Sequence, residues 1–167
     1  LHYDAQARAL AESGAKANYA ACVFCFDGSS YYDLPYYQDA CASLAQFNGY
    51  DGGRIRTTFS LHAEYTSTEK AVRGLAEAAA KHGSTMQVHV AETAGEVAQC
   101  RERHEGRSPV RYLADCGLFD VPTTAAHCVH VDEEEWDILA ERGVSVVHCP
   151  CSNMKLGSGR FPYEMAI

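Results

Sequence analysis

The chain has 167 residues, 47 % of them hydrophobic, a formal charge of −8 and a pI near 5.4. That length can bury a substantial core, no apolar run approaches membrane-spanning length, and the acidic balance argues against nucleic acid or anionic lipid as the main partner. The eight cysteines are scattered rather than gathered into a compact framework, which reads as a reduced, cytoplasmic protein.

In chain order, "NYAACVFCF" (18–26) reads as a first strand, "FDGSSYYDLPYY" (26–37) as an aromatic loop covering one end of a sheet, and "YYQDACASLAQF" (36–47) as a helix with weak signals. "RIRTTFSLH" (54–62) is a second strand. Thr66-Ser67-Thr68-Glu69 then has the form of a capping box, with Thr66 as the cap. Ala71, Val72, Leu75, Ala78 and Ala79 follow at helical spacing as far as Gly83. "TMQVHVA" (85–91) is a third strand, followed by a second box, Thr93 to Glu96. "PTTAAHCV" (122–129) is a fourth, and Asp132-Glu133-Glu134-Glu135 opens a helix through Trp136, Leu139 and Ala140 to Gly143. "VSVVH" (144–148) is a fifth strand. Strands alternating with helices predict an α/β fold with a parallel sheet, because parallel neighbours need crossover connections. A closed eight-stranded barrel takes ~250 residues, so the choice lies between a complete open sheet and a partial (β/α)8 barrel. Leu1 is not an initiator residue and "FPYEMAI" reads as the start of a helix, so the expectation is a piece of something longer.

The chemically capable residues fall at the carboxyl ends of the strands. His62 ends the second, His89 and Glu92 the third, His127 and His130 the fourth, while His148, Ser152 and Asn153 follow the fifth. Parallel strands bring those ends to one edge, where α/β folds place their sites. In "MQVHVA" the two-residue period sets Met86, Val88 and Val90 on one face and Gln87, His89 and Ala91 on the other, so His89 points into the barrel or cleft; His127 likewise opposes Cys128. Neutral imidazole suits zinc or iron, and a carboxylate nearby can move protons for a metal-activated water. Singly, each of these residues has an ordinary structural explanation, a hydrogen-bonded strand histidine or a glutamate at a helix N-terminus. The clustering is what points to a site. His82 and His104 read as solvated, and His2 has no pattern around it. Cys22-Val-Phe-Cys25 lies in a strand, where residues three apart face opposite ways, which argues against a zinc knuckle. The H-x-E and P-C-x-x-C signature of the cytidine-deaminase type is not met: the chain has His89-Val-Ala-Glu92, and Pro150-Cys151 without a cysteine at 154.

"HVAET" (89–93), "AAHCVHVDEEE" (125–135) and "VVHCPCSNMKLGSG" (146–159), with "SLHAEYTSTE" (60–69), resemble the amidohydrolase superfamily, and within it the S-adenosylhomocysteine/methylthioadenosine deaminase and chlorohydrolase branch. The resemblance implies a (β/α)8 barrel with a divalent metal (zinc, iron(II) or another) at its mouth. It implies His89 as metal ligand, Glu92 as proton shuttle in contact with substrate, and His127 as the residue orienting the metal-bound hydroxide. His62 would contact a purine nucleoside-like substrate, and Ser152 and Asn153 would shape the mouth. The implied reaction is hydrolytic deamination of an adenine nucleoside; the alternatives are a chlorohydrolase or guanine-type deaminase on the same scaffold, or a non-catalytic α/β binding module. The chain departs from the family in lacking a His-x-His pair and a final-strand aspartate. Leu61 stands where a proline commonly precedes the histidine, and Lys16 where an arginine is expected. Residues 1–167 therefore read as a fragment of a single barrel domain, inactive and weakly metal-binding alone, whose parent is a homo-oligomer.

Overall fold

The computed structural model describes residues 3–166; Leu1, His2 and Ile167 lie outside them, and so does the reading of His2. Five strands form one all-parallel sheet: β1 (Ala17–Val23), β2 (Ile55–Leu61), β3 (Met86–Val90), β4 (Thr123–His127) and β5 (Ser145–Val147). Helices α1 (Tyr3–Ser13), α2 (Pro35–Phe47), α3 (Glu69–Lys81), α4 (Ala94–Arg103), α5 (Pro109–Asp115), α6 (Glu133–Glu141) and α7 (Pro150–Leu156) surround it. Among the described residues, no helix is long and apolar enough to cross a membrane.

The spatial order of the strands is β1-β2-β3-β4-β5, the same as their order in the chain. A doubly wound sheet reverses direction partway; a barrel adds each strand on the same side of the last. The chain is therefore an arc of a (β/α)8 barrel. Among the described residues β1 pairs with β2 and β5 with β4, at the two ends of the arc. Beside β5 an apolar groove of about 550 Å³ runs along Trp136, Leu139, Val146 and Phe161.

The core lies between the sheet and its helices. Val72, Leu75, Ala78 and Ala79 of α3 are fully buried against Phe59, Leu61 and Met86, and the cluster continues through Val88, Val90, Tyr112, Leu113, Ala125 and Leu139. In β3 the two-residue period holds: Met86, Val88 and Val90 are buried while Gln87 and His89 are half-buried on the opposite face. That face is concave and encloses about 350 Å³ lined by Cys22, Ser60, Gln87, His89, Thr124 and Ala126.

Several local expectations shift. Thr66 does not cap α3. Its Oγ1 accepts from the Ala63 N–H at 3.2 Å and donates back to the Ala63 carbonyl at 2.9 Å, closing a separate 3₁₀ turn, Glu64–Thr66. Helix α3 starts two residues later, with Thr68 at the cap. The second box forms only in half. Thr93 Oγ1 accepts from the Glu96 N–H at 3.1 Å, but Glu96 does not reach back to Thr93. The third is complete, with Asp132 and Glu135 answering each other. Helices α1, α5 and α7 have no counterpart in the sequence reading. The last two are seven residues long, too short for a hydrophobic period to show, and each begins with proline at its first turn. The "FPYEMAI" end carries a single 3₁₀ turn, Tyr163–Met165.

Candidate functional site

The ends of β2, β3 and β4 bring three imidazoles into a row. His62 and His89 have ring centroids 5.2 Å apart and His89 and His127 5.3 Å apart, each pair nearly perpendicular. Glu92 closes the row, with Oε2 3.6 Å from His127 Nε2. Phe24 stacks on the other side of His62 at 4.7 Å, and Tyr65 meets it edge-on at 6.0 Å.

Each of the three reaches this point by a different local device. His89 follows the pleat of β3. His62 is the first residue past β2, and its carbonyl accepts from the His89 N–H at 3.1 Å, which ties the two strand ends together. His127 runs against the pleat. It pairs in register with Val90 and shares the period of Thr123 and Ala125, all buried on the helix side, so simple alternation would send it into the core. Its backbone instead takes φ +75°, and Cys128 follows at +47°. These left-handed residues, costing about 1–3 kcal/mol each, rotate the imidazole toward His89 and drop Cys128 into the core, fully buried. The sequence reading put His127 and Cys128 on opposite faces, as found, but the period alone does not produce it.

The strain is held by backbone bonds. The Ala91 carbonyl accepts from both Val129 and His130 N–H at 3.0 Å, and Cys128 N–H donates to Val90 at 2.9 Å. Ala91 itself has φ +48°, and buried Glu96 secures it: Oε1 accepts from the Ala91 N–H at 3.0 Å and Oε2 from the Glu92 N–H at 2.8 Å. Burial pushes the Glu96 carboxyl above its usual range, partly offset by these backbone N–H groups. Glu96 is thus the clip that turns the chain after β3 and aims Glu92 back at the rim.

The histidines are electrostatically distinct. His89 is held below the ordinary imidazole range, first by burial and then by His62 and His127 facing it, with Glu92 opposing weakly. It is therefore neutral near pH 7 and offers a lone pair. The His62 Nδ1 is buried with no partner among the described residues. His127 Nδ1 lies 2.8 Å from Oδ1 of Asn153, which is 2 % exposed. With that carbonyl accepting, the ring donates from Nδ1 and turns Nε2 to Glu92 and the cleft. Imidazole nitrogens beside one carboxylate make a donor set suited to a divalent ion of borderline softness.

The other expected rim residues part company. His130 turns away, its Nε2–H donating to the Ser158 carbonyl at 2.7 Å. His148 stacks on Phe161 at 4.7 Å, apart from the row. Ser152 is half-buried on α7, one residue before Asn153. His104 is not solvated. Its Nε2 lies 2.6 Å from Glu64 Oε1, its ring stacks on Tyr112 at 3.8 Å, and Arg103 holds both Glu64 oxygens at 3.2 and 2.8 Å. His82, by contrast, is exposed, with Tyr37 Oη at 3.4 Å.

Glu64, Cys100 and His104 have ligand atoms within 4.8 Å of one another. However, both Glu64 oxygens are taken by Arg103 and His104, and burial pushes the Cys100 thiol far up, so the sulfur stays protonated. This group is an ion pair joining the turn after β2 to the end of α4. No sequence pattern pointed to it, nor to Ser158, whose hydroxyl donates to Glu92 Oε1 at 3.0 Å, and Glu96 was expected only as the partner of Thr93 in a capping box. A serine bracketed by glycines in "LGSG" was the available signal for Ser158.

Comparison with known proteins agrees with the fold. The sequence profile described as "Amidohydrolase family" matches residues 7–167. A 5-methylthioadenosine/S-adenosylhomocysteine deaminase of Symbiobacterium thermophilum is 40 % identical over 160 residues, covering 95 % of this chain and 36 % of the relative. Its counterpart in Moorella thermoacetica is 39 % identical over 164 residues, covering 98 % and 37 %. Among solved structures, an adenosine deaminase from Xanthomonas campestris with bound zinc superposes with a TM-score of 0.83 at 31 % identity, over 99 % of this chain and 37 % of that one. The chain thus spans little more than a third of the length of these proteins.

Proposed function

This chain belongs to the amidohydrolase family, and from that premise we propose that it is a segment of one barrel domain in a metal-dependent deaminase of adenine nucleosides. The observation that carries the reading is the row His62, His89, His127 with Glu92 at the ends of three consecutive parallel strands. The substrate class follows from the named activity of the relatives in Symbiobacterium and Moorella, and zinc from the Xanthomonas structure.

In this reading His89 is the metal ligand contributed by the chain, kept neutral by burial and by its imidazole neighbours. The metal, when bound, supplies Lewis-acid activation of water. Glu92 accepts a proton from the attacking water and delivers it to the purine ring nitrogen; it then takes the proton of the hydroxyl formed at the ring carbon and passes it to the amine, which leaves as ammonia. His127, oriented by Asn153, turns its Nε2 toward the attacking water and holds it in line with the ring carbon. His62, stacked on Phe24, contacts the flat base, and Ser152 with Asn153 shapes the rim. The net change is replacement of an exocyclic amine by oxygen, with water consumed and ammonia released. The protein belongs in the cytoplasm, where its eight free thiols stay reduced, and works as a homo-oligomer.

The test uses the full-length protein and ammonia release from methylthioadenosine, S-adenosylhomocysteine and adenosine. Glu92→Gln should lower turnover at least ~100-fold with metal content unchanged, as for loss of a general acid/base. His89→Ala should deplete metal in elemental analysis. Unchanged turnover in Glu92→Gln removes Glu92 from the chemistry. Turnover confined to guanine or a chlorinated triazine would replace the substrate class.

A further inference from the structure

Glu92 is held twice, and only one of the two holds belongs to its own neighbourhood in the chain. The Glu96 clip fixes its backbone N–H, but leaves the carboxylate free to change rotamer. The second hold comes from a loop 66 residues away, just past α7. We propose that Ser158 is a positioning residue for Glu92: its hydroxyl pins Oε1 so that Oε2 is left facing His127 and the cleft. The proposal rests on the reading of Glu92 as the proton carrier and adds to it the residue that sets the carboxylate's orientation.

The loop is built for that contact. Gly157 has φ +67° and Gly159 φ +128°, so the chain reverses sharply on both sides of Ser158. At Gly159 a Cβ would stand 2.9 Å from Val129 Cγ1 and 3.2 Å from His130 Nε2, so only glycine lets the loop press against the segment after β4. Three bonds then fix Ser158, which is 4 % exposed. Its N–H donates to the Asn153 carbonyl at 2.9 Å, its carbonyl accepts from His130 at 2.7 Å, and its hydroxyl donates to Glu92 Oε1 at 3.0 Å. With its own backbone anchored, the hydroxyl has little freedom and imposes its direction on the longer glutamate. The same short segment therefore orients both partners at the cleft, His127 through Asn153 and Glu92 through Ser158. His130, a rim histidine that does not face the cleft, has its role here as the anchor of the loop.

The experiment compares Ser158→Ala, Ser158→Thr, Glu92→Ala and the Ser158→Ala/Glu92→Ala double variant in the full-length protein, reading kcat, KM, metal content and Tm. Ser158→Ala should lower kcat about 10- to 100-fold, the effect of losing one hydrogen bond to a charged group, with KM within about twofold and metal content and Tm unchanged. Ser158→Thr, which keeps the hydroxyl, should recover most of the loss. On the Glu92→Ala background Ser158→Ala should change nothing further. Wild-type kcat in Ser158→Ala overturns the proposal while leaving Glu92 in place. So does a further loss on the Glu92→Ala background, or a loss of kcat accompanied by fallen Tm or lost metal, which would make the role structural. Full turnover in Glu92→Ala takes down the functional reading and this proposal together.

Discussion

Removing Arg103 should destabilise the chain, and removing its partner as well should restore most of the loss. Glu64 is 1 % exposed and accepts three charge-assisted bonds, two from Arg103 and one from His104. Breaking a buried pair from one side costs about 3–5 kcal/mol, because a desolvated charge is left without its partner. Here the Arg103 side chain is 39 % exposed and His104 stays in place at 2.6 Å, so the expected loss for Arg103→Met is smaller, about 2–3 kcal/mol. For a chain of this size that is a fall in Tm of roughly 4–12 °C. Glu64→Met/Arg103→Met removes the buried charge along with its partner and should return to within about 1 kcal/mol of the parent. Urea unfolding of this chain, followed by far-UV circular dichroism, measures all three. Arg103→Met within 0.5 kcal/mol of the parent, or a double variant less stable than the single, would refute the reasoning.

Two further outcomes follow from burial. His89 is held below the ordinary imidazole value of 6.5 in the fold, so the unfolded chain takes up its proton first as the pH falls. Unfolding free energy should therefore drop as the pH is lowered through about 6.5, level off below the folded value, and lose part of that slope in His89→Gln; urea midpoints between pH 8 and 5 read this. Of the eight free cysteines, Cys151 is exposed, Cys22, Cys41 and Cys149 are half-buried, and Cys25, Cys100, Cys116 and Cys128 are buried, with burial pushing Cys128 up to about 12. An aromatic disulfide reagent at pH 8 should label Cys151 first, the half-buried three more slowly, and the rest only in denaturant; simultaneous reaction of all eight would contradict the packing.

The sequence by itself determined what depends on neighbours in the chain. The alternation of "MQVHV" aimed His89, the Asp132–Glu135 box started α6, and the repeated strand–helix order required parallel pairing. The placement of polar residues at strand ends was enough to bring His62, His89, Glu92 and His127 to one rim, because parallel strands point the same way whatever their order. Three things were decided only by the tertiary structure. The monotonic strand order, which separates a barrel arc from an open sheet, is a matter of which distant segments pair. The left-handed backbone at His127 and Cys128, against the strand period, persists because bonds from Ala91 and from Asn153 compensate its strain. The partners of Glu64, Glu92 and Glu96 lie in other segments or in backbone groups of a strained turn, so neither hydrophobic period nor capping rule could select them. Local patterns fix a residue's direction only while the backbone stays regular; at this rim it does not, and contacts across the chain choose the rest.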